Sequence, residues 1–296
     1  MARSHPPTLI TLVARCLREQ CGVTSKSRLL LALSGGGDSM ALLHVLSFLS
    51  KKQGFSLCAH GVDHGLRAEA VAELDRAEAQ CVALGVPFSR SVLSLSSGGN
   101  LQARARDARR AALLSAAETC RAELIATAHH ADDRAETVLL RLLRGSGPFG
   151  LAVLPPRSGI WIRPQYRARK ADVLAHLARH QLAFAEDPSN LNPRFQRTRV
   201  RSELLPLLEQ LSPQIVSHLC ALADALNEGR VPPSCDEFRD ADGVALVLNR
   251  AQRLLVGRAR TLGQRTARVR LAQGRELRLH PLTLEPMIAA ARPRKG

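Results

Sequence analysis

The sequence predicts an α/β protein: a Rossmann-like parallel sheet with helices on both faces, followed by a small basic C-terminal region. Three observations predict it. Apolar runs of strand length alternate with helical periods from Arg28 to Arg144, as in β-α units that feed a parallel sheet. A glycine turn, Ser34-Gly35-Gly36-Gly37-Asp38-Ser39, joins the first apolar run to the first helical period. Residues able to do chemistry gather where the runs end, and open α/β sheets bind ligands beyond the carboxyl ends of their strands.

In chain order, the run Leu29-Leu30-Leu31-Ala32-Leu33 gives a strand over 28–33, and a helix over 40–49 follows the glycine turn. Strands over 56–62, 88–93 and 123–127 and helices over 68–84, 101–120 and 134–144 continue the alternation. Glycines and prolines from 145 to 156 close this core, before a short strand around 160–163 and a helix over 171–180. Asp187-Pro188-Ser189-Asn190 reads as a turn, and Pro193 keeps the next residues out of helix. Helices resume over 199–211 and 213–228, and from Arg239 onward the pattern is short, mixed and rich in arginine, with no internal repeat.

The glycine turn is built to hold an anion. Glycines allow a tight turn and close approach to a ligand, while free N–H groups and the positive end of the helix dipole favour phosphate. Ser34 and Ser39 add hydroxyl donors. The Asp38 carboxylate would repel phosphate unless a divalent cation bridged the two, so the loop implies a nucleotide with Mg²⁺. A Walker loop is excluded because the chain has no Gly-Lys pair, and the dinucleotide fingerprint fails because Met40 stands where its third glycine belongs. Gly145, Gly147 and Gly150 satisfy that fingerprint's spacing but follow a helix instead of a strand.

A second constellation leaves a strand and enters a helix: Thr127-Ala128-His129-His130-Ala131-Asp132-Asp133-Arg134-Ala135-Glu136-Thr137. Asp133 and Glu136, three apart, share one helical face and can hold a cation, bind an ammonium group or act as a base. An acidic helix start that merely favours the dipole would look the same.

Net charge +16 and a pI near 10.9 point to a polyanionic partner. From 251 to 296 there are eleven lysines and arginines against two acids, and Arg194, Arg197, Arg199 and Arg201 form a second cluster. Arginine supplies 37 of the 42 basic residues, a bias that alone would not leave acids so scarce at one end. One Trp and one Tyr argue against extended stacking platforms for RNA. No apolar run reaches membrane-span length, and the stretch from Thr8 to Ala14 lacks a cleavage pattern, so the expectation is a cytoplasmic protein without membrane contact. Seven scattered cysteines without a C-x-x-C pair read as buried thiols, so no zinc or iron–sulfur cluster is expected. His176 and His180 share a helical face at metal-ligand spacing, but the sequence offers no third ligand nearby; His60 and His64 are weak as a pair.

In their order, the nucleotide loop, Asp63-His64-Gly65-Leu66-Arg67, His129-His130 through Glu136-Thr137, Arg144-Gly145-Ser146-Gly147 with Gly150-Leu151, and Glu186-Asp187-Pro188-Ser189-Asn190 followed by Phe195, Arg197 and Arg201 resemble the tRNA(Ile)-lysidine synthetases. The resemblance covers roughly Leu29 to Pro206. The loop is common to a superfamily of ATP pyrophosphatases of the PP-loop type, while the Glu-Asp-Pro-Ser-Asn segment is this family's own. The fold implied is the adenine nucleotide alpha-hydrolase-like one. The activity implied is a ligase reaction: ATP adenylates the wobble cytidine of the CAU anticodon of tRNA(Ile), L-lysine is attached to the base, and AMP and pyrophosphate are released.

By the same resemblance, Ser34, Gly35, Gly36, Gly37, Asp38 and Ser39 hold the departing pyrophosphate, with Mg²⁺ at Asp38, and Arg109 lies beside the nucleotide. His129, Asp133 and Glu136 serve catalysis and the incoming lysine, and Asn190, Arg197 and Arg201 contact tRNA or phosphates. The domains implied are a catalytic part over 1–212, with its nucleotide-binding core at about 26–150, and a tRNA-binding part over 213–296. The chain departs from the family at Arg110, where a tyrosine is usual, and at Thr198, where asparagine is frequent. A PP-loop tRNA thiolase, an amidating synthetase for a small metabolite and a non-catalytic RNA-binding relative are the competing readings. The first would need catalytic or cluster-binding cysteines, the second leaves the basic C-terminus unused, and the third predicts an eroded loop. The sequence leaves a homodimer open.

Overall fold

The computed structural model describes residues 7–63, 69–93, 101–185 and 195–228 and the three short strands 268–270, 276–279 and 286–289. The chain divides into two compact units, Met1–Gly229 and Arg230–Gly296.

The first unit opens with a helix the sequence did not predict, α1 (Leu9–Glu19), capped by Thr8, whose Oγ1 accepts from Thr11 N–H at 3.3 Å. Leu9, Val13, Cys16 and Leu17 recur at helical spacing and are buried in the core, although Arg15 and Arg18 break the run in sequence. Then come β1 (Arg28–Leu33), α2 (Gly37–Gln53), β2 (Ser56–Asp63), α3 (Glu69–Leu84), β3 (Phe88–Val92), α4 (Leu101–Thr119), β4 (Leu124–Ala126) and α5 (Ala131–Leu143). A short α6 (Pro148–Leu151), strands β5 (Arg157–Ser158) and β6 (Trp161–Ile162), and α7 (Lys170–Arg179) complete the sheet and its cover. Next, α8 (Gln196–Arg199) runs through a π turn, Val200–Leu204, into α9 (Leu205–Leu211), and α10 (Ile215–Glu228) ends the unit.

The six strands lie in the order β3-β2-β1-β4-β6-β5, all parallel except β5. Leu29 to Leu33 are at most 3% exposed, which explains why β1 is apolar at every position and not only at alternate ones. From β1 the chain winds outward to β3, then returns to β4 on the other side of β1. That reversal opens a crevice beyond Leu33 and Ala126, the place where ligands bind in such sheets.

Both helices that enter this crevice start three residues earlier than their apolar periods predict. Helix α2 begins at Gly37, not 40, because an N-terminus needs no packing side chain; Gly36 is the extended N-cap. It also runs past 49 to Gln53, where Lys51 and Lys52 suit the negative end of the dipole and Gly54 closes the helix in the left-handed region. Helix α5 begins at Ala131, not 134, because a capping box starts it: His130 N–H donates to Asp133 Oδ2 at 3.1 Å.

Helix α10 packs on α5. Ala135, Val138 and Leu139 meet Val216, Leu219 and Ala223 in one buried cluster, and the wholly buried Arg134 reaches Asp224 Oδ1 at 2.6 Å. This packing lies within the first compact unit, Met1–Gly229. The second unit contains an antiparallel sheet, β7 (Arg268–Arg270), β8 (Glu276–Leu279) and β9 (Pro286–Ala289), in that order. Among the described residues, no helix is long and apolar enough to cross a membrane.

Candidate active site

The turn between β1 and α2 is held in shape by its own serines. Ser39 Oγ donates to Gly36 O at 2.9 Å, accepts from Ser34 N–H at 3.2 Å and lies 3.1 Å from Ser34 Oγ. The three glycines answer three different demands. Gly35 sits at φ +78°, and a Cβ there would stand 2.6 Å from Glu73 O, so only glycine fits. At Gly37 a Cβ would press on Phe184 at 3.1 Å and Leu177 at 3.2 Å, whereas at Gly36 its nearest neighbour would be Ser34 Oγ at 3.6 Å. Gly36 therefore has no packing reason to be glycine, which leaves the approach of a ligand as its reason. Gly35 O also accepts from Ala185 N–H at 3.0 Å, tying the loop to the segment after α7.

Asp38 opens α2 and pairs with Lys170 Nζ at 2.6 Å, from the first residue of α7. Burial works against its charge, but His130 and Lys170 outweigh burial and hold its pKa at about 2. The carboxylate is ionised, a third exposed and made of hard oxygens, so it fits Mg²⁺, with the Lys170 ammonium occupying the place of positive charge on Oδ1.

Across the crevice, the turn between β4 and α5 is a dense charge network around His130, which is 3% exposed. Its Nε2 lies 3.7 Å from Asp38 Oδ1 and 3.4 Å from Asp133 Oδ2, and its Nδ1 lies 3.5 Å from Asp132 Oδ2. Burial disfavours the imidazolium, but the hydrogen bonds to Asp132 and Asp38 and the charges of Asp133 and Asp38 raise its pKa to about 9. Asp133 N–H also points at Nδ1 from 3.4 Å, a contact that would require the neutral ring; it is too long to compete with three carboxylates, and the imidazolium is the consistent state. His130 is thus a buried cation that joins the two turns.

Asp132 is committed to structure. Arg169 grips it through Nη2 at 2.9 Å and Nε at 3.2 Å, and Lys170 N–H donates to it at 2.7 Å, which fixes the start of α7 against the start of α5. Although burial opposes its ionisation, His130 and Arg169 hold its pKa far below the ordinary carboxylate range. Asp133 Oδ1 accepts from Arg197 Nη2 at 2.9 Å, with Arg201 Nη2 at 3.6 Å. Glu136, only 1% exposed, takes Arg197 Nε at 2.8 Å on Oε2 and Arg201 Nε at 2.6 Å on Oε1. Arg197 and Arg201 thereby meet the crevice from α8 and the π turn while keeping nearly half of each side chain exposed.

His129 hydrogen-bonds Thr127 Oγ1 at 3.0 Å. Burial and the arginines at 163, 197 and 109 lower its pKa to about 4 despite Asp133, so it is neutral beside its charged neighbour His130. Arg109 lies on α4, where burial lowers its pKa. Arg110, one of the departures from the family pattern, stacks its guanidinium 4.9 Å over the Trp161 ring and so packs on β6. Residues 64–67 of the second motif and Glu186 to Asn190, with the expected contact Asn190, lie outside the described residues.

The structure brings Asp38, His129, Asp133, Glu136, Arg197 and Arg201 to one crevice with the serines and glycines of the loop. The sequence missed His130 as the cationic hub, Lys170 as the partner of Asp38, and Asp132–Arg169 as the clamp. The first left a signal, a polar residue three before Asp133 in capping-box spacing. The other two are contacts across about 40 or more residues of chain that no local pattern reports.

A family model described as a PP-loop domain matches residues 9–208. The tRNA(Ile)-lysidine synthase of Thermobifida fusca is 37% identical over 234 residues, which make up 77% of this chain and 71% of that protein. The chain belongs to the tRNA(Ile)-lysidine synthase family. The family's proteins from Xanthomonas axonopodis pv. citri, at 40% identity, and Pseudomonas aeruginosa, at 39%, match 79% and 67% of the chain, respectively. These matches cover 51% and 45% of those two proteins, so the chain spans about half their length. Among solved structures, a U34-tRNA thiolase from Methanococcus maripaludis superposes with a TM-score of 0.62 at 19% identity, over 81% of this chain and 89% of that one. At that identity the likeness is one of fold, and it agrees with the parallel sheet of this lysidine-synthase family member.

Proposed function

We propose that the chain is an ATP-dependent ligase that joins L-lysine to the wobble cytidine of a tRNA(Ile) with a CAU anticodon. One observation carries this reading within the family: a glycine-and-serine loop, whose helix start has no side-chain cap, faces, across a single switch point, a carboxylate cluster rich in counter-charges. The loop residues Ser34 to Ser39 hold the β- and γ-phosphates of ATP, which leaves the α-phosphorus open to the cytidine carbonyl oxygen. A P–O bond forms and pyrophosphate leaves. The lysine amine then attacks the activated ring carbon, and AMP departs with the oxygen. Mg²⁺ at Asp38 neutralises phosphate charge when bound. Arg109, Arg197 and Arg201 stabilise charge on the phosphates.

With an amine pKa near 10.4, only about one lysine side chain in a few thousand is neutral at pH 7, so the amine needs a carboxylate that orients it and takes its proton. Asp133 supports that role better than Glu136 does. Both carboxylates are engaged, Glu136 by two guanidiniums and Asp133 by Arg197 on Oδ1 and His130 N–H on Oδ2, but Glu136 is 1% exposed whereas Asp133 is 13% exposed at the crevice. Glu136 then sets the position of Arg197 and Arg201. In the same reading the Arg230–Gly296 unit and its basic charge bind tRNA, and His129 stays neutral near the reacting atoms.

The test is incubation of the protein with ATP, Mg²⁺, labelled lysine and an isoleucine tRNA transcript with a CAU anticodon. Label in the RNA that depends on ATP and vanishes when the wobble C is replaced supports the proposal. Absence of label, or sulfur transfer to the RNA instead, contradicts it.

A further inference from the structure

Three histidines that the crevice does not use converge between α2 and α7. His44 Nδ1 lies 3.1 Å from His176 Nε2, and the His180 ring stands 4.6 Å and 4.5 Å, centre to centre, from those of His44 and His176. One donor nitrogen from each lies within 4.8 Å of the other two, close enough for the three to share a metal ion. The sequence supplied the pair His176 and His180, four apart on α7; the fold supplies the third member from a helix 132 positions earlier. His176 is buried, His44 half-buried, and His180 exposed at the C-cap of α7, so the cluster opens to solvent on one side.

We propose that His44, His176 and His180 form a divalent transition-metal site, best suited to Zn²⁺, that cross-links α2 to α7. Three imidazoles with an open fourth position are a known zinc donor set, and imidazole suits Zn²⁺, Cu²⁺ and Ni²⁺ while hard Mg²⁺ prefers oxygen. With Zn–N bonds of about 2.0–2.1 Å, tetrahedral ligands stand about 3.3 Å apart. The His44–His176 pair already has nearly that spacing, and the exposed His180 has only to swing inward. The nearby Arg179 charge opposes a cation. Because α2 starts next to Asp38 and α7 starts at Lys170, a metal at this cluster clamps together the two helices that carry the 2.6 Å Asp38–Lys170 pair.

Tag-free protein, stripped with a chelator, is titrated with Zn²⁺ against a chromophoric competitor and with Co²⁺ by visible absorption. The expected result is one equivalent bound, a Co²⁺ spectrum without sulfur-to-metal charge transfer, and a Zn²⁺-dependent rise in melting temperature. H44Q and H180Q should each weaken Zn²⁺ binding by about 100-fold or more, since even outer-shell changes at metal sites cost 10- to 100-fold. H180Q alters an exposed ring, so it stays informative if H44Q folds poorly. Absence of stoichiometric binding, a thiolate charge-transfer band, or unchanged affinity in H180Q overturns the proposal.

Discussion

The two turns that face each other across the crevice start their helices in opposite ways. At α2 the N-cap is Gly36, which has no side chain to cap the helix, and while Ser39 N–H donates to Gly36 O at 3.0 Å, no side-chain cap takes the N–H groups of Gly37 and Asp38 among the described residues. At α5 the N–H groups of His130 and Ala131 are taken within the protein, by Asp133 Oδ2 and Ala168 O, and three acids there are matched by His130, Arg169, Arg197 and Arg201. One turn is a vacant donor set for an anion; the other is a self-compensated network that holds charges in place. The two turns are built differently, one with open helix-start donors and one with its charges already paired, and His130, within 3.7 Å of both Asp38 and Asp133, is where they meet.

The sharpest way to break this contrast is to remove the loop's carboxylate. D38A should abolish AMP formation while leaving tRNA affinity largely intact, as read by AMP assay and filter binding; an unchanged rate would show that the phosphate loop does not act as described. Next in size is a change behind the second turn. D224A strands the wholly buried Arg134 guanidinium, whose Nε and Nη1 already have no partner among the described residues. Breaking such a pair costs about 3–5 kcal/mol. Chemical denaturation should register this loss.

Two glycine substitutions sharpen the loop itself. G35A meets Glu73 O and a positive φ, and it should cost more than about 1 kcal/mol of stability. G36A has room in the fold and should leave the melting temperature nearly unchanged while raising the KM for ATP. Equal behaviour of the two variants would remove the ligand-based reason for Gly36.

A further prediction is a pH dependence. Because the pKa of His130 is raised from 6.5 to about 9 in the folded chain, its stabilisation is fully present below pH 6.5 and is lost as pH rises through about 9. The stability gap between wild type and H130Q should therefore be widest below pH 6.5 and narrow toward pH 9. A gap that grows over that range would mean that His130 is neutral and the two turns are not joined by charge.

Much of this contrast was legible in the sequence. Strand β1 matches its expected limits because five consecutive core positions leave an apolar run that turn residues bound on both sides. The loop was legible because its residue types carry the chemistry whatever the tertiary context. Helix α1 was not, because Arg15 and Arg18 interrupt its apolar stripe as read along the chain, while Leu9, Val13, Cys16 and Leu17 still fall on one face. The starts of α2 and α5 were misplaced because caps, not apolar residues, set them. The pairing of Glu136 with Arg197 and Arg201 spans more than 60 positions, so both sets of residues could be named from sequence but not their mutual neutralisation. The contact of His44 with His176 was invisible for the same reason.

The proposed chemistry requires a triphosphate lying over the β1–α2 turn, and a crystal structure with a non-hydrolysable ATP analogue and Mg²⁺ tests this most directly. The predicted result places the β- and γ-phosphates against the N–H groups of 35–38, with the α-phosphorus facing Asp133. An analogue bound elsewhere, or a loop that stays closed around its own serines at saturating nucleotide, would contradict it.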